Sequence, residues 1–394
     1  MANYTVPGVY VEEPFKLSLS IPSGATSVPV FALDSSNVKS GRVGGSDTLN
    51  LDATKIVALD NWLDVQTKLV AVLPPGDARA QEYELNRSPV YLALKGYFDN
   101  GGGRCYLVPV AQLIDQVPTL DDATLIVQAG ADHAGFAAAV GKLCEPGQTY
   151  FALYDGPNES ALTSTTASSA QDNYYSNSFA AVYYPWLQAS VPGSTPEARN
   201  DLVDVPPSAV MAGVYCSVDN ERGVWKAPAN VEVRGGLRPK FPVPDAVDAV
   251  LNAPSGGHAI NVIRKFRGTG TMVWGARTLH SDQDTWRYVS VRRLFCAAER
   301  DIRIAMSAAL FEPNSQPTWE QVRGAVTSYL QRLWKQGALM GDTPQQAYFV
   351  QIGKGTTMTE EDVKAGKMIV RVGMAAVRPA EFIILQLTQD VAPG

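Results

Sequence analysis

Ile260-Asn261-Val262-Ile263-Arg264-Lys265-Phe266-Arg267-Gly268-Thr269-Gly270-Thr271-Met272-Val273-Trp274-Gly275-Ala276-Arg277-Thr278-Leu279 is the run around which the chain is organised. It holds no catalytic pattern: Gly268-Thr269-Gly270 is not completed to GxGxxG, so a dinucleotide fingerprint is absent. It continues through Trp286-Arg287-Tyr288-Val289 and Val291-Arg292-Arg293-Leu294-Phe295. Downstream, Leu294, Ala298, Ile302, Ala305, Met306 and Ala309 recur at helical spacing and give one apolar stripe. Arg292, Arg293, Arg300 and Arg303 lie mostly off that stripe. Pro317 opens a second helix at a favoured first-turn position. Val322, Val326, Tyr329, Leu330 and Leu333 form its inner face, and Gly337 stops it. Thr359 with Asp362 reads as a capping box for a short helix. Two strands follow, over 368–373 and 381–387. The last is apolar and almost terminal; at an open edge it would be an aggregation hazard, which pairing in a defined polymer would cover.

Composition sets the wider limits. A chain of 394 residues suggests two or three domains with ample core. Hydrophobic residues make up 45% and charged residues 18%, a lean surface charge that suits a subunit burying much of its outside against neighbours and equally a plain globular protein. A net charge of -6 and a pI near 5.3 argue against bulk nucleic-acid binding. Cys105, Cys144, Cys216 and Cys296 are far apart and form no CxxC pair, so buried free thiols in a reducing compartment are expected rather than zinc or disulfides. The first residues, Met1 to Gly8, lack a basic n-region and an apolar h-region, and no stretch approaches a membrane span. Assembly in the cytoplasm without membrane insertion is expected.

Taken in order, residues 1–22 read as an extended arm. Val9, Tyr10, Val11, Glu12 and Glu13 are β-prone, and Pro14 and Pro22 prevent a helix. An arm of this kind most readily satisfies its backbone groups at a sheet edge, its own or a neighbour's. A buried strand is expected over 26–33, a polar Gly-rich loop over 35–52 and a helix near 61–65. Residues 89–98 read as a helix ending at Asn100-Gly101-Gly102-Gly103, with a strand over 104–109. Further strands at 149–156 and 180–186 give α/β layers with a partly parallel sheet. Residues 205–215 lead into a helix of small residues, and 238–258, rich in Pro, Ala and Gly, read as a linker.

The search for chemistry is negative. No GxxxxGK[ST], HExxH or GxSxG is present. His133, His258 and His280 are isolated, and Asp219, Glu221, Asp282 and Asp284 make only the acid pairs any acidic loop supplies. The expectation is no catalytic, cofactor-binding or metal-binding residues, with Arg264, Lys265 and Arg267 in salt bridges within or between subunits, phosphate contact being the alternative. An α/β enzyme with a pocket in the layered middle region is the alternative from another class.

Several of these motifs carry a resemblance. The 260–295 run, Phe311-Glu312-Pro313-Asn314, Leu333-Trp334-Lys335-Gln336-Gly337-Ala338-Leu339 and Val377-Arg378-Pro379-Ala380-Glu381-Phe382 resemble, in order, the C-terminal part of contractile tail sheath proteins. These are the subunits of the sleeve around the inner tube of phage tails and related injection machines. Pro7 to Glu13, Val205 to Tyr215 and Arg222 to Asn230 extend the likeness over most of the chain; it is weakest over 34–88 and 157–176. Ala227-Pro228-Ala229-Asn230 and residues 377–390 look most like the sheaths of extracellular contractile injection systems, with a true phage tail sheath as the alternative.

The resemblance implies a multi-domain α+β and α/β fold. An N-terminal arm (1–22), an outer, smaller α/β middle domain (23–237) and a linker (238–258) precede a C-terminal α+β domain (259–376) facing the tube, with a C-terminal strand over 377–394. The mixed sheet of the C-terminal domain would be completed by the terminal arms. It implies a helical homopolymer of six-fold rings partnered by a tube protein, baseplate and cap proteins, with sister sheath proteins as further candidates, and a final place in a released particle or virion tail. Val9 to Glu13 and Phe382, Ile383, Ile384, Leu385, Gln386 and Leu387 would be the strands exchanged between subunits. Arg323, Arg332 and Lys335 are the candidate tube-facing residues, since partly solvated ion pairs make contacts weak enough to break; a solvated helix face with the usual C-terminal cations is the equal alternative.

Overall fold

Val30, Phe31, Ala32 and Leu33 are all buried, yet Phe31 and Leu33 pack into one apolar cluster while Val30 and Ala32 pack into another. A strand buried on both faces belongs inside a parallel sheet covered by helices on either side. The computed structural model describes residues 19–35, 37–38, 41–43, 46–52, 54–73, 78–193, 199–252, 256–282 and 284–381. Its strands, in chain order, are β1 Pro29–Leu33, β2 Arg42–Val43, β3 Ser46–Asp47, β4 Val57–Leu59, β5 Cys105–Pro109, β6 Leu125–Val127, β7 Phe151–Asp155 and β8 Ala180–Tyr184. Then come β9 Leu187–Val191, β10 Asp201–Val205, β11 Val231–Glu232, β12 Arg238–Pro239, β13 Ile260–Lys265, β14 Thr271–Val273, β15 Tyr348–Gln351 and β16 Arg371–Met374.

The chain divides into two compact units. Of the described residues, the larger holds those within 24–298 and 376–381. At its centre is a nine-stranded sheet in the order β11-β14-β13-β8-β7-β6-β1-β5-β4. From β13 to β5 neighbours run parallel, and β14, β11 and β4 add antiparallel edges. Side chains alternate along each buried strand: Phe151 and Leu153 face one cluster, Ala152 and Tyr154 the other, as the two-residue strand period requires. The helices Pro89–Asp99 and Pro207–Arg222 cover the first face, and His133–Leu143 and Asp245–Asn252 the second. A smaller sheet, β10-β9-β12, flanks the first.

The smaller unit holds residues 19–23 and 299–375. Its long helix, Gln316–Lys335, buries Val322, Val326, Tyr329, Leu330 and Leu333, the inner face expected from the spacing. Gly337 sits at φ +83°, and Thr359 and Asp362 make the capping box. The pair β15-β16 completes this unit.

The mixed α/β class matches the expectation, and so do the buried strand at 29–33, the helix over 89–99 and the strands at 105–109, 151–155 and 180–184. Residues 238–258, expected as a linker, contain β12 and a helix whose Val247 and Leu251 are buried. The division between units falls inside the helix Val289–Met306, because β13 pairs in parallel with β8 and carries residues 260–298 into the large sheet.

Helix Pro207–Arg222 packs on helix Pro89–Asp99 through small residues. A Cβ on Gly213 would lie 2.3 Å from the Tyr97 carbonyl oxygen, an atom fixed in the facing helix. Gly213→Ala is therefore expected to destabilise the subunit by about 1–3 kcal/mol, the usual cost of overpacking, read as a lower denaturation midpoint with unchanged slope.

Candidate assembly site

In the larger unit the chain entering β1 is tied down by a buried charge. Arg293, on helix Val289–Met306, has a side chain 3% exposed and faces Asp219, 4% exposed, on helix Pro207–Arg222. Its Nη1 donates to Asp219 Oδ1 at 3.0 Å and its Nη2 to Oδ2 at 2.6 Å. Nη2 also donates to the Thr26 carbonyl and the Ser27 hydroxyl, each at 2.9 Å, and Thr26 Oγ1 donates to Asp219 Oδ2 at 2.5 Å. The guanidinium lies 4.5 Å from the Tyr215 ring centroid. A buried charge needs such saturation of its donors. The spacing had placed Arg293 off the apolar stripe; the structure corrects this, because a fixed partner on another helix lets the cation be buried. No pattern in the sequence joins Asp219 to Arg293.

The other end of the unit is held similarly. Arg277 Nε donates to Glu381 Oε1 at 3.0 Å, and its Nη2 donates to Oε2. Its Nη1 donates to the Asn252 carbonyl at 2.6 Å, and Tyr288 Oη lies 3.3 Å from Glu381 Oε2. The strand candidates Val9 to Glu13 and Phe382 to Leu387 lie outside the described residues.

In the smaller unit, β15 and β16 pair antiparallel with Phe349 opposite Gly373. A Cβ on Gly373 would lie 2.1 Å from the Phe349 ring, so the glycine makes room for the aromatic across the strands. Among the described residues each strand pairs only with the other, and both are half-buried to exposed along their length. An unpaired edge is a template for an added strand. Of the tube-facing candidates, Arg323 donates to Glu320 (both oxygens at 2.8 Å) and to the Ile352 carbonyl. Arg332 donates to the Ile21 carbonyl, and Lys335 is exposed in the last helical turn.

Three features bear on chemistry. Ser176 Oγ lies 2.6 Å from His280 Nδ1, but Asp282 Oδ1 approaches the same nitrogen, at 3.9 Å. A Ser-His-Asp relay needs the two partners on opposite ring nitrogens. Among the described residues no group of three or more His, Cys, Asp or Glu is placed to hold a metal ion, and no helix is long and apolar enough to cross a membrane. The four cysteines are buried free thiols, and burial pushes Cys216 up to about 11. Arg264 pairs with Asp245 and Asp248, a salt bridge as expected.

Comparison with known proteins gives these surfaces their setting. Residues 281–390 match the family described as phage tail sheath C-terminal domain. Over 145 residues the chain is 28% identical to a putative prophage major tail sheath protein of Pseudomonas aeruginosa (strain UCBPP-PA14), a match spanning 36% of this chain and 37% of that protein. The sheath complex of the PVC extracellular contractile injection system, in its contracted state, is 49% identical over 99% of both chains, with a TM-score of 0.81. In the anti-feeding prophage, the contracted helical sheath is 39% identical (TM-score 0.74, 98% of this chain and 100% of that one). The contracted baseplate structure of the same system contains a chain 44% identical (TM-score 0.79, 98% and 99%).

The fold therefore falls within a class of structural proteins that act as parts of an assembly. The chain belongs to the contractile tail sheath protein family and is a contractile sheath subunit, similar over its whole length to sheaths of extracellular contractile injection systems.

One buried group gives the larger unit a pH signature. Asp155, at the end of β7, accepts from the Gly130 and Ser208 N–H groups at 2.8 Å each, the latter in the first turn of helix Pro207–Arg222. Burial pushes its pKa up from 3.8 to about 6, against those two donors. The folded state thus holds the proton more tightly than the unfolded chain. The stability this adds is full below pH 4 and is lost as pH rises through about 6, a difference of about 3 kcal/mol. Asp155→Asn should remove it: the stability difference between wild type and variant, from urea unfolding, is expected to shift in the variant's favour between pH 4 and pH 7.

Proposed function

We propose that this subunit polymerises helically, in six-fold rings, around an inner tube, and that contraction of the sheath drives the tube through a target envelope. The observation that supports the reading is the two-stranded β15-β16 sheet, whose outer edges are unpaired among the described residues. Two terminal segments, around Val9 to Glu13 and Phe382 to Leu387, are rich in β-formers and supply two strands for two edges. Strands borrowed from neighbours keep subunits linked while their packing changes. The work comes from the free-energy gap between extended and contracted packings, released by the baseplate. Neither the missing phosphate loop nor the misplaced Ser176–His280–Asp282 group supports a catalytic step, and we read the protein as a structural element and not an enzyme. The tube, the baseplate and a cap protein are its partners alongside further sheath subunits, and it is assembled in the bacterial cytoplasm before the particle is released. Full-length likeness to injection-system sheaths favours that origin over a phage tail.

The test is electron microscopy of the protein co-expressed with its tube protein, full length and lacking residues 1–13 or 382–394. Sleeves from the full chain and none from either truncation are expected. Sleeves of normal length from both truncations would overturn the strand-exchange reading.

The helix Gln316–Lys335 remains the proposed tube-facing element, with Arg323 and Arg332 partly committed to main-chain carbonyls of their own unit and Lys335 free to reach outward. Lys335→Glu is expected to weaken co-purification with the tube by up to about fivefold at low salt, within the range of an exposed ion pair, and to leave the melting temperature unchanged. Unchanged, salt-independent binding would remove this residue from the contact.

A further inference from the structure

The Arg277–Glu381 pair stands immediately before the segment proposed to join a neighbour. Both side chains are well covered, 10% and 19% exposed, and the contact uses two parallel N–H donors on one carboxylate. That fork geometry holds direction as well as charge. Arg277 is itself fixed at the main chain. Its N–H donates to Asn261 Oδ1 at 2.7 Å, and its carbonyl accepts from Asn261 Nδ2 at 2.8 Å. Asn261 lies in β13, 3% exposed, and its Nδ2 also bonds the Val182 carbonyl in β8 at 3.1 Å. An unbroken route therefore runs from Glu381 through Arg277 and the Asn261 amide into the nine-stranded sheet.

We propose that the Arg277–Glu381 pair is a tether point that fixes the root of the C-terminal strand and delivers its load to the large sheet. The inference rests on the reading that residues 382–387 pair with a neighbouring subunit. Behind Glu381, Ala375 is bonded at the end of β16: its N–H donates to the Ala347 carbonyl at 2.8 Å, and its carbonyl accepts from Met340 N–H at 2.7 Å. If the pair is broken, the root retreats toward Ala376, itself in a β-bridge next to Ala375. Residues 377–381 then add up to about 17 Å of slack at roughly 3.3–3.6 Å per residue. Tension would also fall on β16, in a two-stranded sheet, instead of on β13 in the middle of a covered one. Slack on this scale spans several strand spacings of about 4.8 Å, enough to lose the register on which a regular lattice depends. Arg277 acts here as a positioning residue, working through Glu381.

The experiment compares Arg277→Ala, Glu381→Ala, the exchange R277E/E381R and deletion of 382–394, each in the full chain co-expressed with the tube protein. Sheath yield and length are counted by electron microscopy, and melting temperature is recorded for the free subunit. The proposal expects no sheaths from the deletion and a loss of roughly tenfold or more from each single variant, as for a truncated buried charge pair. It also expects the exchange variant to recover most of that loss. Glu381 lies outside every strand and helix, so Glu381→Ala decides the matter if Arg277→Ala does not fold. Wild-type sheaths from the single variants with none from the deletion would overturn the tether and leave strand exchange standing. An exchange variant no better than the singles would also overturn it. Normal sheaths from the deletion would overturn strand exchange and the tether together.

Discussion

Main-chain pairing of Ile260–Val262 with Val182–Tyr184 brings together residues 78 positions apart and decides which parts of the chain share a core. Loop-closure entropy grows only slowly with length, so burying such a strand between two helical layers readily offsets it. Ile260 and Val262 enter one apolar cluster and Ile263 the other. The polar residue between them, Asn261, is admitted because its amide is satisfied by Val182 and Arg277. Leaving such a buried amide unpaired would cost about 1–3 kcal/mol. The position therefore selects a specific neighbour, where an apolar side chain would accept any.

The buried Arg293–Asp219 pair adds a second constraint of the same kind. Removing one partner of such a pair typically costs about 3–5 kcal/mol, whereas replacing both with apolar groups can be neutral. Its contribution is thus to specify arrangement. Thr26, Ser27, helix Pro207–Arg222 and helix Val289–Met306 meet at one guanidinium. The chain entering the sheet and a helix entered much later are registered against each other by one set of hydrogen bonds.

Much of this architecture was legible in the sequence because it is locally encoded. The helix ending at Asn100-Gly101, the inner face of Gln316–Lys335, the stop at Gly337 and the Thr359–Asp362 box depend on neighbours within a few positions. Strand β13 was visible as an apolar run, but its place beside β8 was not, since parallel pairing leaves no mark on the intervening sequence. Helix Asp245–Asn252 was masked by the surrounding Pro, Ala and Gly, and β15 by its brevity and mixed polarity. Arg293 shows the limit of periodicity, because a helical stripe records apolar contacts and is silent about a cation whose partner lies 74 residues away. Of the candidate site, the β-prone ends and the helix Gln316–Lys335 were readable from composition and spacing, whereas the β15-β16 pair emerged only from the fold.

The shortness of β15 and β16 has a consequence for the subunit before it meets others. Each strand is four residues long. A guest strand gains only a few main-chain bonds there, each worth about 0.5–1.5 kcal/mol net. Segments that seed cross-β stacking generally need six or seven residues. An edge this brief is too weak to capture stray chains and too short to nucleate fibrils. Under the proposed strand exchange, a misplaced copy held by one such seam would fall off, while a copy seated at several at once would be retained.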